Sequence, residues 1–166
     1  MKNALLGILL IVFLFLAGRD AYAQCDCAGY RSEDIRGSRY KTALEELKNS
    51  DAVFYGQVIE MKMIPRRRVE AGGDDYEVEI KFHVVKAWHT DLSEFVTIRE
   101  YSQGCLIGFS IASRWLVYVR RDQDNNFRTS YCSRTRVAYR NPEKDFKEFE
   151  ENGEKQSKIL KVSVLK

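Results

Sequence analysis

The sequence predicts a mainly β protein with flanking helices, and three features lead there. Residues 76–84 alternate without a break, apolar at Tyr76, Val78, Ile80, Phe82 and Val84 and polar at Glu77, Glu79, Lys81 and His83. That is the period-two pattern of a half-buried strand. Shorter β-prone runs follow at 95–101, 106–109, 115–120 and 127–132, set apart by turn residues in the manner of a compact barrel or sandwich. Finally, four cysteines (Cys25, Cys27, Cys105 and Cys132) stand behind an apolar N-terminal run. An even count in that setting reads as two disulfides in an oxidising compartment.

The N-terminal run is expected to be a leader and not part of the fold. Lys2 gives it a basic start, residues 4–17 are apolar or glycine throughout, and Ala21-Tyr22-Ala23 closes it. This is the order of a secretory signal peptide over residues 1–23. The apolar stretch of 14 residues is short for a membrane span, which takes about 20. The expected mature chain is therefore residues 24–166, extracellular or periplasmic, with no transmembrane span. Its net charge of +2, against +3 for the whole chain, gives no global reason to expect nucleic acid as a partner.

Within the mature chain, residues 38–49 read as a helix. Tyr40, Leu44 and Leu47 fall on one face, charged residues on the other, and Ser38 is the N-cap. Residues 52–63 are rich in Val, Ile, Phe and Tyr and read as a strand, and the polar stretch 62–75, with Pro65, Gly72 and Gly73, as a long loop. Asp and Asn crowd residues 121–126, which should be the turn between the last two strands. Asn141-Pro142 opens a second helix by cap and proline, with Phe146 and Phe149 as its apolar pair. Residues 159–165 fit either a final strand or a continued helix. The organisation is thus a leader at 1–23, one domain at 24–140, and a C-terminal helix and tail at 141–166 packing on that domain.

Cys25 and Cys27 are too close along an extended segment to pair comfortably, because alternate side chains sit far apart along a strand. Each is expected to reach one of the distant pair. C-x-C lacks the spacing and the nearby histidine of a zinc site.

Several motifs together resemble the N-terminal, netrin-like domain of the tissue inhibitors of metalloproteinases (TIMPs). They are the opening Cys25-Asp26-Cys27, then Ser50-Asp51-Ala52-Val53-Phe54-Tyr55-Gly56-Gln57-Val58 after the first helix, Tyr76-Glu77-Val78-Glu79-Ile80 running to Val85-Lys86-Ala87-Trp88, Cys105-Leu106-Ile107-Gly108, and Trp115-Leu116-Val117-Tyr118-Val119 before Cys132. The resemblance covers residues 25–132. It implies a five-stranded OB-like barrel with flanking helices and two disulfides, Cys25 to Cys105 and Cys27 to Cys132. It also implies a protease-contact edge formed by Cys25, Asp26, Cys27 and Ala28. In that family the free α-amine and carbonyl of the first cysteine chelate the zinc of a metalloproteinase, so the implied partner is a protein carrying its own zinc. An α-amine titrates near pH 8, which leaves a useful neutral fraction to donate.

The sequence departs from the family at the same edge. Cleavage after Ala23 leaves Gln24 ahead of Cys25, making the chelating amine an amide. Asp26 stands where an apolar pocket residue is usual, and the third bridge and cysteine-rich C-terminal domain have no counterpart. A non-inhibitory netrin-like module binding protein or polyanion is the alternative. For a polyanion the one basic cluster is Lys62, Arg66, Arg67 and Arg68, with Glu70, Asp74 and Asp75 just downstream.

No motif calls for an intrinsic metal or a cofactor. His83 and His89 read as a solvent-facing pair without a third ligand. G-x-S-x-G, H-E-x-x-H and a phosphate-cradling glycine loop do not occur. The expectation is binding rather than catalysis.

Overall fold

A computed structural model describes residues 30–32, 35–38, 41–65, 76–101, 106–140 and 142–161. In chain order the strands are β1 (Tyr30–Ser32), β2 (Ile35–Ser38), β3 (Ala52–Pro65), β4 (Tyr76–Trp88), β5 (Leu92–Ser93), β6 (Phe95–Tyr101), β7 (Arg114–Arg121), β8 (Phe127–Arg128), β9 (Arg136–Val137) and β10 (Ile159–Leu160). Helix α1 (Ala43–Lys48) lies before β3, and α2 (Glu143–Glu151) follows a short 3-10 turn, Ala138–Arg140.

Five of these strands close a barrel. β3 pairs with β4, β4 with β6, β6 with β8, β8 with β7, and β7 returns to β3. All contacts are antiparallel except β6–β8. The last barrel strand thus slips between the third and fourth, an order consistent with an OB-like barrel. β9 adds to the free side of β7, and β10 runs parallel to β5.

Alternation in the sequence builds the interior. Val78, Ile80, Phe82 and Val84 of β4 point in, as do Val96 and Ile98 of β6 and Trp115, Val117 and Val119 of β7. Phe54, Phe82, Phe109 and Trp115 meet edge to face in series, with centroids 5.2, 5.4 and 4.5 Å apart. Gly56 is required where β3 shifts register against β4. A Cβ there would lie 2.7 Å from the His83 carbonyl oxygen.

A second apolar cluster forms on the outer wall. Val53, Trp88, Leu116 and Tyr118 face out of the barrel onto Leu47 of α1 and Phe146 and Phe149 of α2. Trp88 stacks on Phe146 at 4.9 Å and meets Phe149 at 5.4 Å. The expected pair Phe146 and Phe149 therefore packs α2 onto the barrel.

Five expectations need correction. Helix α1 begins at Ala43, because Thr42 and not Ser38 caps it: the Thr42 hydroxyl accepts from the Glu45 N–H at 3.1 Å, and Glu45 reaches back to the Lys41 N–H at 3.0 Å. Ser38 lies in β2. β3 continues to Pro65, beyond the expected start of the loop, because its outer residues find register partners in β4 (Glu60 with Lys81, Lys62 with Glu79). The run 106–109 is not a strand, since Gly108 sits at φ +82°, outside extended backbone. β8 stops at Arg128 because a turn closes from the Ser133 N–H to the Ser130 carbonyl. Glu77, expected outside, is buried by ion pairs. The turn at 121–126 forms as expected, with Asp122 accepting from the Asp124 and Asn126 N–H groups, both at 2.9 Å.

Candidate functional site

The leader, the edge residues Cys25, Asp26, Cys27 and Ala28, Cys105, and Arg66, Arg67 and Arg68 of the basic cluster all lie outside the described residues. Lys62 is exposed on β3, and His83 and His89 do not meet: His83 pairs with Glu94 at 3.5 Å, and His89 is exposed at the end of β4. Of the cysteines, Cys132 alone is described.

Cys132 sits in the turn that follows β8. Its N–H donates to the Ser130 hydroxyl at 3.1 Å, and the Thr135 N–H donates to the Ser133 hydroxyl at the same distance. Thr129 links this turn to Thr135 at 2.8 Å. The turn forms one wall of a cavity of about 250 Å³, whose other sides include Glu46, Ser50, Tyr118, Arg120 and Arg128. Three hydroxyl-bearing residues of the turn and two arginines thus line one recess beside the cysteine.

Beneath the recess lies a buried ionic cluster. Asp145, in the first turn of α2 and 1% exposed, accepts from the Tyr118 hydroxyl at 2.7 Å and pairs with Arg136 at 2.8 Å and Arg134 at 3.6 Å. Both Glu46 carboxylate oxygens accept from the Arg134 N–H, at 3.0 and 3.1 Å. The cluster ties α1, α2, β7 and β9 to one another and sets the floor on which the Cys132 turn rests. Burial, and then the negative charge and hydrogen bond of Asp145, push the Tyr118 phenol well above its ordinary range. Tyr118 therefore acts as a fixed donor here.

A second ionic chain closes the barrel at its parallel seam. Arg128 of β8 pairs with Glu77 at 2.8 Å and with Asp122, and Arg99 of β6 reaches Glu79 at 3.3 Å and Glu77 at 4.0 Å. Desolvation works against the Asp122 carboxylate, yet hydrogen bonds from Arg128 and the turn N–H groups hold its pKa below the ordinary value.

Glu100 is the remaining buried acid of note. It follows the inward parity of Val96 and Ile98 on β6, and its carboxylate accepts from the Ile107 N–H at 3.2 Å. Desolvation raises its pKa from 4.5 to about 7, although the Ile107 N–H works the other way. It anchors the chain two residues beyond Cys105.

Sequence reasoning missed Glu46, Asp145, Arg134 and Arg136, which join only through tertiary contact. Glu100 carried a signal, since counting in twos along β6 from Val96 points it inward. Among the described residues no group of three metal-ligating side chains converges, and no helix is long and apolar enough to cross a membrane. No protein-family model and no curated protein matches the chain.

Proposed function

We propose that the protein is a secreted, TIMP-like binding domain. It acts by presenting the Cys25-Asp26-Cys27 edge to a protein partner, and a zinc metalloproteinase is the partner that the resemblance points to. The observation that carries this reading is the barrel itself: its strand order is consistent with an OB-like barrel, and Cys132 sits in a turn beside it. A bridge from Cys132 to Cys27, with a second from Cys105 to Cys25, would hold the N-terminal edge against a rigid scaffold. Such an edge binds with little ordering cost. The recess beside Cys132 carries hydroxyl and guanidinium groups, which a Cys27–Cys132 bridge would bring next to that edge.

Gln24 favours a second reading, a netrin-like module that binds a partner without inhibiting a protease. With Gln24 as the first residue, Cys25 has no free amine and chelation is lost. The test is the intact mass and N-terminal sequence of the secreted protein, before and after reduction, followed by titration against a panel of zinc metalloproteinases. A chain starting at Cys25, with two disulfides and stoichiometric inhibition, supports the inhibitor. A chain starting at Gln24 without inhibition sinks it and leaves the binding module. Four free thiols in the secreted protein would refute both.

A further inference from the structure

Strand β3 is longer than the barrel requires. From Val53 to Gln57 it is paired on both sides, with β4 and β7. At Val58 the β7 side ends with two backbone bonds, to the Ser113 carbonyl and the Ala112 N–H. Beyond that point β3 runs to Pro65 against β4 alone, and among the described residues no strand lies on its other edge. β4 is backed there by β6. Among the described residues, 59–65 are therefore the outer edge of a three-stranded arm, a row of backbone groups without a strand partner on that side that can template another strand.

The side chains along this edge are sorted by face. Glu60 and Lys62 share the face of Lys81 and Glu79, while Met61 and Met63 share that of Ile80 and Val78. Ile59, Met61 and Met63 are 41%, 36% and 69% exposed. Exposed methionines along an open edge are apolar surface that the monomer leaves in water.

We propose that this edge pairs antiparallel with the same edge of a second copy of the chain, about a two-fold axis at Met61. The register follows from charge. Centred on Met61, Glu60 faces the partner's Lys62 and Lys62 faces the partner's Glu60. Centring on Lys62 opposes two lysines, and centring on Glu60 opposes two glutamates. A shift by a single position would set apolar residues of one face against charged residues of the other. The bulge at Val58/Glu60, the two charges and Pro65 are features that blunt an edge against indiscriminate pairing. Alternating opposite signs leave one self-matched register open. This contact is independent of the Cys25 edge and stands or falls without it.

The test is sedimentation velocity across a wide concentration range at low and high salt, with circular dichroism as the folding control. A concentration-dependent dimer is expected, weakened by salt. Lys62→Glu and Glu60→Lys should each weaken it about tenfold, since each sets like charges opposite at two symmetric places. The double exchange Glu60→Lys with Lys62→Glu should restore it. Within one chain that double variant still faces Lys81 and Glu79 with like charges, so recovery identifies the contact as intermolecular. Hydrogen exchange on the unaltered chain gives a second readout: amides of residues 59–64 should slow as concentration rises. A monomer at every concentration, a double variant no better than the singles, or unchanged exchange overturns the proposal and leaves the edge to a strand of another protein.

Discussion

Replacing Glu100 by glutamine should make the protein more stable at pH 8 and remove a fall in stability between pH 4.5 and 7. Glu100 is 8% exposed, and burial raises its pKa from 4.5 to about 7. Below pH 4.5 it is protonated in both the folded and unfolded chains and carries no penalty. Between 4.5 and 7 the unfolded chain ionises while the folded chain holds its proton, so stability drops by about 1.4 kcal/mol per pH unit. Above 7 both states are ionised and the whole penalty is present, on the order of 3 kcal/mol.

The amide introduced by Glu100→Gln keeps an oxygen that can accept from the Ile107 N–H and cannot ionise. Any cost of burying its NH₂ group is independent of pH. Urea unfolding followed by the fluorescence of buried Trp88 and Trp115, from pH 4 to 8.5, measures both proteins. The informative curve is the difference between them, because every other titratable group is common to both. A difference rising across pH 4.5–7 and flat on either side is expected. A difference that stays flat throughout would show that water reaches Glu100 in the folded state, and would refute the desolvation argument.

Asp145→Asn removes the charge that two buried arginines share, and should cost about 3–5 kcal/mol. Tyr118→Phe deletes one neutral donor to the same carboxylate and should cost about 1–3 kcal/mol. Urea unfolding at pH 7 ranks them, and an Asp145 variant losing less than the tyrosine variant would contradict the assigned roles. Gly56→Ala pushes a methyl group to 2.7 Å from a backbone oxygen of β4, so the strands must part. A loss of about 1–3 kcal/mol is expected, read as a lowered melting temperature, and an unchanged melt would mean that β3 and β4 yield there without cost.

The parts of this fold that were legible in the sequence are those where one strand carries its own periodicity. β4 could be read almost position by position, because it has enough alternating residues to separate its two faces, Glu77 being the exception that ion pairs bury. β8 and β9 could not. Each is two residues long, too short for any period, yet β8 closes the barrel. What fixes β8 is non-local: Arg128 reaches Glu77, whose place in the sequence is 51 residues away. The same distinction explains the helix start. Ser38 and Thr42 are equally good caps by residue type, and only Glu45, three residues after Thr42, distinguishes them. It also accounts for residues 106–109, where a short apolar run suggested a strand but Gly108 turns the backbone out of extended conformation. Ile107 and Phe109 are buried nonetheless, so the pattern correctly marked core positions while misnaming the backbone between them. Asp145 and Arg136 follow the same rule. They are charged residues in a short helix and a two-residue strand, with no local pattern to mark them, and their burial follows from the second apolar cluster that sets α2 against β7. Recognition of the Cys132 recess therefore depends on the packing of Phe146 and Phe149. A change that loosened α2 should unsettle the recess before it disturbs the barrel.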